Sequence, residues 1–464
     1  AMSTQVMKEN KMGIMPVGKL LINMALPMIV SMLVQALYNV VDSIYVSQIS
    51  ESAVTALSLA FPVQNMQIGF GVGIGVGINA LLSKSLGEGN QEAANRTAGN
   101  GMILMFIVTA AFMLFGLFGV RPFYESQSTV AETVEGGIAY TGICCIFTLG
   151  IFVEIMGERL LQSSGKTVYT LFTQGIGAML NIILDPLFIL GSEGLQAKLG
   201  IRLPFFFPAY GVAGAAIATV IGQWVAGIMA VIFNLTKNKE VTFHFKYMKL
   251  RSDIAGKILT VGVPSIIMMA IGSVMTFCMN QIFLSFRSVH GQTPANVFGI
   301  YFKVQSIFLM PLFGINNASV SIIAYNYGAR LPDRIRKTVR CGLGAAAVIM
   351  LMGFGIFQIW PDVLMGIFGS SGDENSAALV SMGVTAMKIV SIHFPLAAIG
   401  IGLVSSFQGL GNGIYSSITS LCRQLVALLP AAWLLSLTGD VNAVWWSFPI
   451  AEFVSLTATL IFYR

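Results

Sequence analysis

The chain has 464 residues, of which 55% are hydrophobic and only 10% are charged. Soluble domains carry about 25% charged residues, so this composition excludes a soluble globular protein and predicts a multi-pass membrane protein. The net charge of +6 reflects the basic loops described below and predicts no nucleic-acid partner.

Twelve apolar runs along the chain are each long enough to cross a bilayer, which takes roughly 20 helical residues. Outside these runs, no segment is long enough for a folded soluble domain. We therefore predict an all-α membrane protein with twelve transmembrane helices. The predicted spans are 18–45, 54–83, 98–119, 136–160, 168–190, 211–235, 257–286, 297–325, 341–360, 378–406, 414–437 and 441–463.

Positive charge in the loops predicts the orientation of the chain, because Lys and Arg accumulate on the cytoplasmic side of membrane proteins. With the N-terminus inside, the inner tail, the inner loops and the C-terminus hold nineteen of the 26 Lys and Arg residues. The outer loops hold four, and three lie within spans. Both termini are therefore predicted to be cytoplasmic, in an inner or plasma membrane.

The second half of the chain repeats the first. The fourth and tenth spans end in "LLQSSGKTVY" and "SFQGLGNGIY", and a single offset pairs Gln162 with Gln408. Each half holds six spans, so both halves run in the same direction, as in transporters built from parallel repeats. We predict two pseudo-symmetric six-helix bundles, an N-lobe over residues 1–240 and a C-lobe over residues 241–464.

Two acids in apolar surroundings mark a candidate site in the first half. Asp185 lies in "NIILDPLFIL", where a carboxylate in lipid costs roughly 2.5–3.5 kcal/mol on insertion scales. Asn181 projects from the same helix face one turn away, and Pro186 loosens a backbone carbonyl nearby. Asp42 is predicted at a similar depth in the first span. Two acids, an amide and a free carbonyl suit Na⁺ or a shared proton.

Structural interpretations of these two acids stay open. Asp42 is also compatible with an interfacial acid at a helix end. Asp185 is also compatible with an ion pair to Arg423 or Lys388 in the other half. Either interpretation removes the residue from a coupling role.

The chain resembles the multidrug and toxic compound extrusion (MATE) family. The resemblance is carried, in order, by "ALPMIVSMLVQALYNVVDSIYVSQ", "NIILDPLFILG", "GVAGAAIATV" and "YNYGA", and it extends over essentially the whole chain. It implies a secondary antiporter with two six-helix lobes around a central cavity, exporting organic compounds in exchange for H⁺ or Na⁺. The seventh and tenth spans lack acids, so the chain is nearer the branch typified by DinF and the MepA-like bacterial exporters.

The resemblance also implies which residues bind the coupling ion. The embedded site of the family uses an Asp of the first span, an Asn and an Asp of the fifth, and an Ala-x-x-x-Thr of the sixth. No cofactor and no metal other than Na⁺ is expected. The corresponding residues are Asp42, Asn181, Asp185, Ala215 and Thr219, with Gln35, Tyr38 and Tyr140 as a supporting hydrogen-bond network.

Two further functional elements are predicted. Pro27 is the predicted hinge at which cation binding changes the bend of the first span, although a membrane helix also tolerates proline without such a role. The Met-rich seventh span is a candidate lining of the substrate cavity, because Met-rich surfaces adapt to varied ligands. Ordinary packing explains each of its residues equally well. The candidate lining residues are Met268, Met269, Met275, Phe277, Met279 and Asn280.

Other ionisable residues within spans are interpreted more modestly. Glu154, Glu158 and Arg159, near the inner end of the fourth span, suggest a gate or an interfacial pair rather than a second coupling site. His393, in the tenth span, is interpreted as a packing or cavity-lining residue rather than a proton relay.

The predicted function is cation-coupled antiport of amphipathic, cationic organic compounds by alternating access, performed by a monomer in the lipid bilayer. The alternative is a flippase or exporter of lipid-linked or polyanionic precursors, for which the three intramembrane bases Lys303, Lys388 and Arg423 supply few charges. No Ser/His/Asp, metal-ligand or nucleotide motif supports an enzyme. Steep dependence of efflux on an ion gradient distinguishes antiport from a passive channel.

Overall fold

The computed structural model describes residues 10–47, 51–127, 129–243, 245–286, 293–368 and 376–464. Within these ranges the chain is helical and forms no β-strand. Its contacts divide it into two compact units. The first unit is Leu26–Leu259, and the second unit is Thr260–Arg464 together with the N-terminal stretch up to Ala25.

The first unit consists of long apolar helices whose ends are marked by polar capping residues. Asn90, for example, accepts a hydrogen bond from the amide of Ala93 at 3.1 Å, which satisfies one of the free N–H groups at a helix start. Most of α2 (Val17–Ser47) belongs to this unit. The other helices are α3 (Glu51–Gly87), α4 (Gln91–Phe118), α5 (Val120–Gln127), α6 (Ala131–Ile146), α7 (Leu149–Ser163), α8 (Val168–Leu199) and α9 (Val212–Thr236).

The fourth predicted span is broken in two, because α6 and α7 meet at an angle of 45°. The break frees backbone carbonyls, and side chains of neighbouring helices bind them. Gln67 donates to the carbonyl of Cys144 at 3.3 Å and to the hydroxyl of Thr148 at 2.9 Å. Trp224 donates to the carbonyl of Phe147 at 3.1 Å. These bonds compensate for the lost helical ones, as buried backbone groups require.

The basic loop between Thr236 and Ser252 packs with the first unit. The amide of Thr242 donates to Asn95 at 2.7 Å, and the amide of Arg251 donates to Asn100 at 2.8 Å. Both asparagines lie near the start of α4 and are almost fully buried. The contact-based units therefore meet after Leu259, whereas the predicted lobes divide at residues 240 and 241.

The second unit holds the remaining helices around an aromatic core. Phe283 stacks on Trp445 with ring centroids 4.5 Å apart. The helices are α10 (Ser252–Leu284, which begins in the first unit), α11 (Thr293–Gly328), α12 (Pro332–Ile359), α13 (Pro361–Phe368), α14 (Ser376–Val390), α15 (Phe394–Gly409), α16 (Gly413–Leu421), α17 (Leu428–Ser436), α18 (Val441–Trp445) and α19 (Ser447–Tyr463). A 3₁₀ turn, Ser391–His393, joins α14 to α15, and a π-helical turn, Cys422–Ala427, joins α16 to α17.

The N-terminal helix α1 (Lys11–Ile14) is attached to the second unit. Arg334 donates to the carbonyl of Met12 at 3.0 Å and to that of Met15 at 2.6 Å. Asn326 also donates to the carbonyl of Met12, at 2.9 Å. A helix end leaves carbonyls without partners and attracts positive charge, so Arg334 satisfies both requirements. This explains why the stretch up to Ala25 belongs to the second unit, whereas the predicted N-lobe begins at residue 1.

Within the described residues, eleven segments are long and apolar enough to span a bilayer, and the bent α6–α7 pair makes a twelfth if it is one span. Large apolar side chains face outward along these helices, as in Phe118, which is 75% exposed. Such a surface suits contact with lipid rather than water. The prediction of an all-α membrane protein with up to twelve spans is confirmed.

Candidate functional site

The candidate site is built on α8, which carries two of the predicted polar residues. Asp185 is completely buried and Asn181 is 3% exposed. One helical turn separates them, so both project from one face. The helix continues through Pro186 and bends at Gly191, whose φ of 70° and ψ of 178° are not helical. A positive φ is readily adopted only by glycine, so this residue allows the bend just beyond the site.

The neighbouring helix α9 contributes a hydroxyl and a backbone carbonyl. Nδ2 of Asn181 donates to Oγ1 of Thr219 at 3.1 Å. Oγ1 of Thr219 donates in turn to the carbonyl of Ala215, one turn earlier, at 2.9 Å. The structure therefore brings three of the five predicted ligands into one hydrogen-bonded chain.

The direction of this chain of bonds determines which atoms can hold a cation. The amide nitrogen of Asn181 faces Thr219, so its oxygen is turned away from that bond. Oδ1 of Asn181 is buried and has no hydrogen-bond partner among the described residues. Hard cations prefer carboxylate and amide oxygens. The buried Oδ1 of Asn181 and the buried carboxylate of Asp185 are therefore suitable cation ligands on one helix face.

Two of the predicted residues lie outside the described part of the structure. The backbone of α2 is helical at Tyr38 and Asp42, but the side chains of both residues fall outside the described residues. The pairing of Asp42 with Asp185 therefore stays a prediction. Gln35, in the same helix, is partly buried.

Tyr140 belongs to a hydrogen-bond network between α3 and α6. Nε2 of Gln64 donates to the Tyr140 hydroxyl at 2.9 Å, and Tyr140 is 3% exposed. Gln67 continues the network one turn further along α3. The sequence analysis missed both glutamines, although their i, i+3 spacing in "FPVQNMQIGF" places them on one helix face.

Pro27 lies inside α2, close to the point where this helix passes from the second unit to the first. The hydroxyl of Ser31 donates to the carbonyl of Pro27 at 2.6 Å. A hydroxyl bonded to the carbonyl four residues back is a local contact that often bends a helix. The hinge role of Pro27 itself stays a prediction.

The candidate lining residues of α10 lie in different surroundings. Met275 and Met279 belong to the apolar core of the second unit. Met268, Met269 and Asn280 are partly buried, and Phe277 is 65% exposed. Their contact with a substrate stays a prediction.

Helix α7 of the first unit carries a second polar cluster. Glu154, Glu158 and Arg159 are all at least nine-tenths buried. Glu158 accepts hydrogen bonds from the Thr173 hydroxyl at 2.8 Å and from the Gln174 amide at 3.0 Å. Arg159 instead donates to Gln162, at 2.9 Å. Glu158 and Arg159 are thus bound to neutral groups, which differs from a simple Glu158–Arg159 pair, and Glu154 interacts with Glu158.

Arg423 has an acidic partner that the sequence analysis did not identify. Nε of Arg423 lies 3.1 Å from Oε2 of Glu452 within the second unit. Arg423 thus has an acidic partner within its own unit, and a pairing of Asp185 with Arg423 or Lys388 stays an untested interpretation. Arg423 and Glu452 are each the single charged residue of their predicted span, and this was the available signal in the sequence.

Comparison with known proteins places the chain among membrane transporters. The model of the MatE family matches residues 27–187 and 264–434, and these two segments correspond to the two halves of the internal repeat. The chain is 24% identical, over 96% of its length and 94% of the relative, to a multidrug export protein MepA of Staphylococcus saprophyticus. It is 23% identical, over 94% of its length and 92% of the relative, to a protein of Shewanella oneidensis named FAD transporter.

Solved structures share the fold over nearly the full length. A MATE transporter in complex with the ligand MaL6 matches with a TM-score of 0.87 at 23% identity, covering 97% of this chain and 96% of the other. An outward-facing multidrug resistance MATE family transporter matches with the same score and identity, covering 98% and 97%.

Proposed function

Because the chain belongs to the MatE family of multi-pass membrane transporters, we propose that it is a cation-coupled antiporter that exports amphipathic, cationic organic compounds by alternating access. The proposal rests chiefly on the buried carboxylate of Asp185 beside the buried amide oxygen of Asn181. The family consists of transporters rather than enzymes.

The chemistry of the site supports cation binding. A bound Na⁺ or proton neutralises the charge of Asp185, which is otherwise costly in a low-dielectric interior. Asn181 provides a second oxygen, and its bond to Thr219 holds the amide in one orientation. Asp42 supplies the second carboxylate in this proposal. Cation binding then changes the charge of the site, and this change biases the bend of α2 at Pro27.

Relatives and charge distribution favour an amphipathic organic substrate. Relatives named multidrug export protein MepA come from several Staphylococcus species. The alternative, a flippase or exporter of polyanionic precursors, needs free positive charges, and a relative named FAD transporter keeps it testable. Arg423 is engaged by Glu452 and Lys388 is on the surface of the second unit. The side chain of Lys303 lies outside the described residues. With two of the three bases otherwise accounted for, the first proposal is favoured.

The proposal also covers the oligomeric state, the membrane and the orientation of the protein. We propose that it acts as a monomer in the plasma or inner membrane with both termini in the cytoplasm. The uneven distribution of Lys and Arg in the loops supports this orientation.

Efflux of a fluorescent organic cation from everted vesicles tests the function, with Na⁺ and pH gradients imposed separately. We expect export to follow one of the two gradients and to fall by at least about tenfold, or about 1.4 kcal/mol, in Asp42→Asn and Asp185→Asn. Asp362→Asn, which changes an exposed aspartate of α13, is the matched control. Equal gradient-driven export by all four proteins contradicts the proposal, and efflux that ignores both gradients indicates a passive channel.

A further inference from the structure

The second unit contains a buried ion pair that the proposed mechanism does not use. The Glu452 side chain is 2% exposed and that of Arg423 is 20% exposed. A buried ion pair contributes little to stability compared with apolar side chains of similar volume. Stability alone therefore does not explain why these two charges lie inside an apolar bundle.

The pair is incompletely hydrogen-bonded. Its 3.1 Å contact is ionic, and the Nε group of Arg423 makes no aligned hydrogen bond. Oε1 of Glu452 and Nη2 of Arg423 are buried without a hydrogen-bond partner in the described part of the chain. The same is true of the Tyr301 hydroxyl, which is fully buried and close enough to interact electrostatically with Glu452. Buried polar atoms are nearly always paired, so these atoms indicate a place for a very small ligand.

The backbone around the pair is adapted to it. Arg423 lies in the π-helical turn Cys422–Ala427, and such turns occur frequently at functional sites. Gly400 of α15 faces the pair, and a Cβ there would lie 2.7 Å from Nη2 of Arg423 and 3.5 Å from Oε1 of Glu452. Only glycine leaves the space that the guanidinium occupies.

The ion pair joins the fifth and sixth predicted spans of the second half, as Asn181 and Thr219 do in the first half. In the register that relates the two halves, Arg423 corresponds to Gly177, one turn before Asn181 in α8. Glu452 belongs to α19, the last helix of its half, as Thr219 belongs to α9. In both halves, polar side chains thus connect the fifth predicted span to the sixth.

We propose that the second unit has a proton-binding site of its own, in which Glu452 exchanges its contact with Arg423 for a bound proton. Its role in transport rests on the proposed antiport. Oε1 is the oxygen with no other partner and receives the proton, and Oε2 releases the guanidinium. A metal cation is disfavoured, because the guanidinium repels a second positive charge at short range in a low-dielectric interior.

Two other ionisable groups face the pair in the described residues. Tyr301 of α11 interacts with Glu452. His393 is buried, its Nδ1 contacts the carbonyl of Val390, and it interacts electrostatically with Arg423. Protonation of Glu452 leaves the charge of Arg423 without its partner, and the partial exposure of this side chain gives the charge access to water.

Infrared difference spectroscopy of the purified full chain in lipid bilayers tests the proposal. Spectra recorded between alkaline and acidic buffers reveal the carbonyl band of a buried acid that gains a proton. Other buried acids, among them Asp185 and Glu154, contribute to the same spectral region, so the test follows the component that depends on residue 452. We expect this component in the wild type, its loss in Glu452→Gln, and its retention in Glu135→Gln, which changes a glutamate that is 64% exposed. We expect Gly400→Ala, which displaces the guanidinium, to change the pH at which the band forms.

An identical buried-acid band in the wild type and Glu452→Gln overturns the proposal. Glu452→Gln leaves a buried charge on Arg423, so the charge-balanced double variant Arg423→Gln/Glu452→Gln is recorded as well. The same band in the double variant also overturns the proposal. Because no substrate or gradient is used, the result is independent of the proposed antiport. Wild-type efflux that ignores both gradients rejects antiport and leaves the Glu452 result standing.

Discussion

The contact between α8 and α9 in the first unit and the contact between the π-helical turn and α19 in the second unit connect corresponding helices of the repeat. In the first unit, Asn181 and Thr219 form a neutral hydrogen bond of 3.1 Å. In the second unit, Arg423 and Glu452 form an ion pair at the same separation. The hydrogen bond between Asn181 and Thr219 brings no positive charge to the candidate site. In the second unit, by contrast, Arg423 neutralises the carboxylate of Glu452. The same pair of helices can therefore leave a carboxylate available to a cation, or neutralise a carboxylate with an arginine of the pair.

The largest effect is expected from breaking the ionic link on one side only. Glu452→Leu leaves Arg423 charged, unpaired and four-fifths buried, and such a break in a buried ion pair costs up to about 3–5 kcal/mol of stability. The double variant Arg423→Met/Glu452→Leu removes both charges and is expected to recover most of that loss. Thermal unfolding in detergent measures both. Equal destabilisation by the single and double variants contradicts this account.

A smaller effect is expected from separating the neutral helix pair. A Cβ on Gly222 would lie 2.8 Å from the carbonyl oxygen of Gly177, so Gly222→Ala forces α8 and α9 apart. Overpacking of this kind costs about 1–3 kcal/mol, and we expect weaker cation coupling as well. Gly175→Ala, in open space on α8, is the matched control and is expected to retain wild-type unfolding temperature and transport. Wild-type behaviour of both variants would show that the close approach is not needed.

Removing the amide of the candidate site is expected to impair coupling more than folding. Asn181→Leu keeps the side-chain volume but removes Oδ1, the buried oxygen proposed to contact the cation. A hydrogen bond to a charged group contributes about 1.5–3 kcal/mol, so we expect at least a tenfold weaker dependence on the coupling ion. Cation titration of vesicle efflux measures it. Unchanged ion dependence with normal expression argues that Asn181 only packs.

The smallest effect is expected from the hydroxyl that orients this amide. Thr219→Val removes the acceptor of the Asn181 amide and the donor to the Ala215 carbonyl, and one such hydrogen bond contributes about 1 kcal/mol. Thr219→Ser retains the hydroxyl. We expect coupling to fall severalfold in the valine variant and to stay near wild type in the serine variant. If both variants fall equally, the methyl group rather than the hydroxyl is responsible.

The helical architecture could be predicted because its signals are local. Apolar runs and turn residues identified the twelve spans, and the register of Gln162 with Gln408 identified the repeat. The break between α6 and α7 could not be predicted, because Gln67 and Trp224 stabilise it from other helices. The attachment of α1 to Arg334 likewise depends on residues more than three hundred positions away.

The candidate site was predictable where its partners share a helix. Asn181 and Asp185 follow from i, i+4 spacing in α8. Thr219 and Ala215 lie on a different helix, and only the family pattern identified them before the structure connected Thr219 to Asn181. Nothing local relates Arg423 to Glu452, because the partner of a lone charge depends on how helices pack.

The attachment of α1 to Arg334 also has a practical consequence for following the protein in motion. A fluorophore placed on Ile14, an exposed residue of α1, is tethered to the second unit, although the next helix in the chain continues into the first. Its distance to a dye on Asp362 should stay constant through a transport cycle. A dye on an exposed residue of α4 is the informative partner for a single-molecule recording.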